Sequence, residues 1–79
     1  MSTWLDDART VIAREAGLDP AQLDLDAGST ATILDVARVA AHDSGARTNA
    51  PLVCYLLGLA RSSGASLEEL ADAVRRSSS

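Results

Sequence analysis

An almost unbroken apolar segment runs from residue 51 to residue 60 and constrains the fold more than any other feature. A helix that is apolar on every side must be surrounded by other elements. Pro51 suits the first turn of such a helix, and Asn49 is predicted to cap it. Gly58 costs about 1 kcal/mol in helix propensity relative to Ala, which is tolerable where another backbone packs closely against it. The segment therefore predicts a central third helix that is shielded from water.

The rest of the chain is also predicted to be helical. Fifteen Ala and eleven Leu among 79 residues give a high helix propensity, and no β-branched run alternates with polar residues. The other helices are predicted from their caps and stops: a first helix over about Thr3–Ala16 that stops at Gly17, a second from a Ser29 or Thr30 cap to Ser44 and Gly45, and a fourth that follows Gly64 with a capping box of Ser66 and Glu69.

The first helix and the connection after it are predicted to close the core. The helix carries an apolar stripe with a 3.6-residue period, formed by Trp4, Leu5, Ala8, Val11, Ile12 and Glu15. Trp4 and Tyr55 are expected to fill the core, and Leu23 and Leu25 to anchor a long first loop over 18–29, in which Asp19 caps one helical turn. The prediction is an all-α, small four-helix bundle with a long first loop and a central apolar third helix, one domain over 1–79 with a frayed tail at 77–79.

Size and charge exclude several classes of protein. Seven Arg that form no basic stripe, and no Lys, against eleven acids give a net charge of −4, which disfavours nucleic acid as a partner. One Cys excludes an internal disulfide and favours a cytoplasmic location, and no apolar run approaches the roughly 20 residues that cross a membrane. A core of this size rarely supplies more than about 3–5 kcal/mol of stability. Both a monomer that encloses helix 3 and a homodimer satisfy these limits.

The densest group of polar residues lies where helix 2 meets helix 3. Asp35, Arg38 and His42 share one helical face, and Arg47 and Asn49 follow shortly after. The amide groups at the start of helix 3, together with Arg47 and a protonated His42, would suit an anion or a partner surface. A structural alternative is that Asp35 and Arg38 form a solvated pair, while His42 and Arg47 bind carbonyl groups at the end of helix 2.

No catalytic residue, cofactor or metal site is predicted. Cys54 lies inside the apolar segment, where a thiol is typically inert core. One Cys with one His cannot form a closed zinc site, and the acids near residues 19–26 lack the spacing of a calcium-binding loop. The chain is therefore predicted not to be an enzyme.

Several short motifs carry a resemblance to a known family: Ile33-Leu34-Asp35-Val36-Ala37-Arg38, Ala41-His42, Arg47, Ala50-Pro51-Leu52 and Tyr55-Leu56-Leu57-Gly58. They resemble an actinobacterial helical domain family of unknown function, whose members occur alone or fused to MobA-like nucleotidyltransferases of molybdenum-cofactor biosynthesis. The resemblance covers nearly the whole chain and carries over Asp35, His42, Arg47, Pro51 and Gly58, none of which has a known catalytic role. The sequence departs from the family pattern at residues 43–45 and 48–49.

The resemblance implies a small, non-catalytic accessory or protein-interaction module linked to molybdopterin-guanine dinucleotide biosynthesis. Its partner would be a nucleotidyltransferase or another protein, and apolar helix faces would carry the contact. Two alternatives stay open. One is a carrier protein with a phosphopantetheine on Ser29, although the Asp-Ser-Leu attachment motif is missing. The other is a binder of small anions at the junction of helices 2 and 3.

Overall fold

The structure, a computed structural model, describes residues 3–78 and consists of helices. Four α-helices follow one another, with a 3₁₀ helix (Pro20–Leu23) between the first two: α1 (Thr3–Ala16), α2 (Ala27–Asp43), α3 (Asn49–Arg61) and α4 (Leu67–Ser78). No strand occurs within the described range. The predicted all-α, four-helix fold class is confirmed. Because α4 continues to Ser78 and Ser79 lies outside the described residues, the fraying of 77–79 stays a prediction.

Most of the predicted stops and caps are present. The backbone is left-handed at Gly17, Gly45 and Gly64, with φ of 72°, 74° and 98°, a conformation that ends a helix and suits glycine. The Ser66–Glu69 capping box is reciprocal: the Glu69 amide donates to Ser66 Oγ at 3.1 Å, and the Ser66 amide donates to Glu69 Oε1 at 3.0 Å. These local signals therefore place the helix ends correctly.

Two predicted caps are wrong. The cap of α2 is Asp26, whose carboxylate accepts from the Ser29 amide at 2.7 Å, so that the helix begins before Ser29 and Thr30. That amide bond is the main cause of the lowered pKa of Asp26. At α3 the cap residue is Thr48, which makes no side-chain cap bond, while Asn49 is the first helical residue. Both errors arise because several polar residues in a row can each serve as a cap.

The core lies among the last three helices. α2 contacts both α3 and α4, and α3 also contacts α4. Val36, Leu57 and Ala71, one from each helix, are buried together at the centre, and the half-buried side chains around them are Val53, Leu67, Leu70 and Val74. The central helix of this group is therefore α2, which packs against both of its neighbours.

The prediction that α3 is shielded on all sides is wrong. One side of α3 is buried, with Leu57 only 5% exposed, whereas four large side chains point outward. We call these four the α3 stripe: Leu52, Tyr55, Leu56 and Leu59. Tyr55, expected in the core, is 69% exposed, and no backbone approaches Gly58, since a Cβ there would meet no atom within 4 Å. With two helical neighbours, α3 can cover one face only.

The first helix does not close the core as predicted. Within the described residues α1 contacts the 3₁₀ helix and none of the other helices. Ala13 is buried, but four large apolar side chains are exposed, and we call them the α1 stripe: Trp4, Leu5, Val11 and Ile12. Trp4, expected in the core, is 77% exposed, and of the two predicted loop anchors Leu23 is half-buried while Leu25 is exposed. The amphipathic pattern of α1 is thus real, and its apolar side faces water.

Candidate functional site

A shallow cavity of about 440 Å³ lies at the corner between α2 and α3. It is lined by Ala41, His42, Gly45 and Arg47, so two of the five predicted site residues share one concave surface. Both are exposed, and neither the imidazole nor the guanidinium forms a hydrogen bond or ion pair with another described residue. The alternative prediction, that these two side chains bind carbonyl groups at the end of α2, is therefore wrong.

Ser44, and not His42 or Arg47, forms the hydrogen bonds that stabilise this corner. Its hydroxyl donates to the Ala40 carbonyl, and its oxygen accepts from the Ala46 amide at 3.2 Å and from Asn49 Nδ2 at 3.0 Å. The left-handed backbone at Gly45 turns the chain between the two helices. Asn49, predicted as part of an anion site, thus stabilises the corner that positions Arg47.

The other two predicted site residues lie in a separate ion-pair network between α2 and α4. Asp35 accepts from Arg38 at 2.8 Å on its own helix and pairs with Arg75 of α4 at 3.0 Å, and Arg75 also binds Asp72 at 2.8 Å. The Arg38 hydrogen bond is the main cause of the lowered pKa of Asp35, and Asp35 is the main cause of the raised pKa of Arg75. Asp35 and Arg38 do not line the corner cavity, so the predicted five-residue cluster divides into two parts.

A second groove, of about 220 Å³, runs between the first loop and α3. Its lining combines apolar and polar side chains: Asp24, Leu25, Ser29, Ile33, Cys54, Leu57, Gly58, Arg61 and Leu67. Ser29 is the third residue of α2 and not a residue ahead of a helix, as the carrier-protein alternative required. Burial raises the pKa of the Cys54 thiol, whose Sγ lies 4.0 Å from the Ile33 carbonyl. A raised pKa disfavours the reactive thiolate.

No three His, Cys, Asp or Glu side chains among residues 3–78 converge so that they could hold a metal ion. None of the helices in the same range has the length and apolar character needed to cross a bilayer.

Sequence reasoning missed that the apolar stripes of α1 and α3 are exposed. Large exposed apolar patches on a small protein mark contact sites more often than isolated exposed residues do. A signal for the α3 stripe was present, because residues 52, 55, 56 and 59 repeat at the i, i+3, i+4, i+7 spacing of a second apolar face. For α1 the sequence showed the stripe but not whether the same chain covers it.

Comparisons with known proteins identify the family of this chain. Neither the curated proteins nor the solved structures returned a match. A family model described as a domain of unknown function, DUF6457, matches residues 1–79. Because that model matches the chain over residues 1–79, this all-α chain belongs to the DUF6457 family.

Proposed function

We propose that this chain is a small, non-catalytic protein-interaction module whose apolar helix faces dock on other protein surfaces. The stripes of α1 and α3 support this proposal. Each carries four large apolar side chains that are 44–77% exposed. Leaving such surfaces in water costs roughly 25 cal/mol for each Å² of apolar area, and a partner that covers them recovers this free energy.

The observation that carries the proposal is the size of the exposed surface. The chain exposes 5767 Å², whereas a compact monomer of its 8.2 kDa mass exposes about 4,500 Å². Its radius of gyration is 13.4 Å, against about 11.6 Å for a compact chain of this length. The excess of roughly 1,200 Å² exceeds the ~800 Å² that one partner contributes to an interface of ordinary size.

The finer proposal concerns the partner. The resemblance noted above points to a MobA-like nucleotidyltransferase and to molybdopterin-guanine dinucleotide biosynthesis, with this chain as an accessory. Tyr55 and Leu56 belong both to a motif that carries this resemblance and to the exposed α3 stripe. The contact would therefore use residues of α3 that the core of this chain does not need.

The test is a binding measurement between the full chain and a MobA-like nucleotidyltransferase from the same organism. Leu56→Glu places a charge in the α3 stripe, and Leu34→Glu makes the same change on α2, at a side chain that is 64% exposed and lies on neither stripe. We expect calorimetry to show binding by the wild type and by L34E, and binding at least ~30-fold weaker by L56E, as for a central interface residue. No binding by the wild type, or equal weakening by both variants, would refute the proposal.

A second candidate function is the binding of a small anion at the α2–α3 corner. The observation in its favour is the 440 Å³ cavity lined by His42 and Arg47, whose side chains are not engaged within the described part of the chain. Titration with a nucleotide and with inorganic phosphate should shift the Asn49 amide resonance at pH 6, and Arg47→Gln should abolish the shift. An unchanged Asn49 resonance would contradict anion binding.

A further inference from the structure

We propose that the α1 stripe packs antiparallel against the α3 stripe of a second copy of this chain, so that two chains cover each other's exposed helix faces in a two-fold dimer. This inference rests on the proposed function, from which it takes the assignment of both stripes as contact surfaces, and it names the occupant. The partner surface in each case is the other stripe of an identical chain, and a nucleotidyltransferase that binds the α3 stripe would compete with that second copy.

The two stripes have matching lengths. The α3 stripe extends over residues 52–59 and the α1 stripe over residues 4–12, which correspond to about 11–12 Å along a helix at 1.5 Å per residue. Each stripe has one aromatic side chain and three aliphatic side chains. Two helices with narrow apolar seams of equal length can pack side by side, so that each seam covers the other along its whole length.

A helix such as α1 requires a partner. Isolated helices of 12–15 residues or fewer are marginal in water, and tertiary packing of the apolar face supplies most of their stability. The 14 residues of α1 contact the 3₁₀ helix, and Leu5 and Ile12 of the stripe line a groove with Leu23 and Leu25 of the first loop, but α1 contacts none of α2, α3 and α4 in the described range. A contact that covers the rest of the α1 stripe must therefore come from outside the single chain.

The contacts within the chain favour a second copy over closure of α1 onto its own α3. The Leu18 amide donates to the Ala13 carbonyl at 2.8 Å, and Arg9 lies 3.9 Å from Asp24. These contacts hold α1 beside residues 18–24, where it does not reach α3. A second chain can cover both stripes without breaking them.

The area of the two stripes is sufficient for a dimer interface. The exposed fractions of the eight stripe side chains correspond to roughly 600–700 Å², taking ~110 Å² for an aliphatic and ~200 Å² for an aromatic side chain. A two-fold dimer buries this area in each chain, about 1,200–1,400 Å² in total, which reaches the range of specific interfaces.

Charges at one end of the two stripes are complementary. Glu15 follows the α1 stripe on the same helix face, and Arg47 precedes α3. Neither side chain forms an ion pair within the described residues. Antiparallel packing brings Glu15 towards Arg47, and it also opposes the two helix dipoles favourably.

The first arm of the test is the mass of the full chain in solution. Light scattering at ~100 µM should give twice the 8.2 kDa chain mass for the wild type and for the matched control L34E, because specific dimers of this area commonly have micromolar or tighter affinity. L56E should give the monomer mass, with helicity by circular dichroism equal to that of L34E. A monomeric wild type, or a dimer that L56E does not weaken, overturns the inference.

A charge-reversal pair tests the orientation and does not depend on L56E folding. Arg47→Glu should weaken the dimer by about 3- to 10-fold, and adding Glu15→Arg should restore most of the loss, since both side chains are exposed. Failure of the double variant to recover affinity contradicts the antiparallel pairing.

The final arm separates contacts between chains from contacts within one chain. Isotope-filtered NOEs in a mixture of labelled and unlabelled chains should connect the Trp4 indole of one chain with α3 methyl groups of the other. NOEs from Trp4 to α3 within a single chain, in a monomer, would overturn the inference. A monomer that still binds the nucleotidyltransferase in an L56E-sensitive manner refutes the dimer and supports the proposed function, whereas a monomer that does not bind it refutes both.

Discussion

The substitution Leu57→Ala tests which side of α3 belongs to the core. Leu57 is 5% exposed and lies in one buried cluster with Val36 and Ala71. Leu34, on the opposite side of α2 from Val36, is 64% exposed and provides the same substitution at a site that belongs to no cluster and to neither stripe. The pair therefore isolates burial as the variable.

The expected magnitudes follow from the two environments. Removing a fully buried Leu side chain costs its transfer free energy together with the cavity it leaves, about 3 kcal/mol here. At Leu34 only about a third of the side chain is removed from water, so the loss stays below ~1 kcal/mol. Since a domain of this size has about 3–5 kcal/mol of stability, Leu57→Ala should remove more than half of it.

The assay is urea unfolding followed by circular dichroism at 222 nm. With a slope of about 1 kcal/mol per molar urea, the midpoint of Leu57→Ala should fall by roughly 2–3 M, and that of Leu34→Ala by less than 1 M. The measurement is made at ~2 µM and at ~20 µM protein, because association raises the apparent stability with concentration. Equal losses for the two variants at both concentrations would refute this description of the core.

Four further predictions concern a helix cap, the glycine within α3, the ion-pair network and the thiol. Ser66→Ala should lower the free energy of unfolding by about 1 kcal/mol, because it removes half of a reciprocal cap; an unchanged urea midpoint would contradict this. Gly58→Ala should raise it by about 0.5–1 kcal/mol, since a Cβ there meets no atom within 4 Å; destabilisation would show that the site is covered. The pKa of Asp35 in the folded state is lowered, chiefly by Arg38, so its contribution to stability is complete above the unfolded pKa of about 3.9 and is lost as the pH falls through the lower folded value. Melting temperatures from pH 6 to pH 2.5 should therefore fall less steeply for Asp35→Asn than for the wild type, and parallel curves would count against the network. Because burial raises the pKa of Cys54, its alkylation by iodoacetamide at pH 7.5 should be several-fold slower in the folded chain than in 6 M urea; equal rates would show that the thiol is accessible.

The helix boundaries were largely predictable because they depend on neighbouring residues. Gly17, Gly45 and Gly64 end their helices in the left-handed conformation, and the Ser66–Glu69 box forms within one turn. The predicted span of α1 agrees with the structure at both ends. Where the prediction was wrong, at the caps of α2 and α3, adjacent polar residues competed for the same role within a few positions.

The candidate site was predictable in part. His42 and Arg47 share the corner cavity as the sequence indicated, because a short turn joins the ends of two consecutive helices. The main partner of Asp35 outside its own helix is Arg75, forty residues away, and no local pattern pointed to it. Asp35 therefore links α2 to α4 while Arg38 binds it within α2, and two of the five predicted residues line the cavity.

By itself the sequence determined that this chain is all-α and where most of its helices begin and end, since caps and glycine stops act over a few residues. Only the tertiary structure decided that α2 is central, that α3 buries a single face, and that the α1 stripe lies open to water. The physical reason is that an apolar face gains the same free energy from any apolar surface, so the path of the first loop selects which faces meet within one chain.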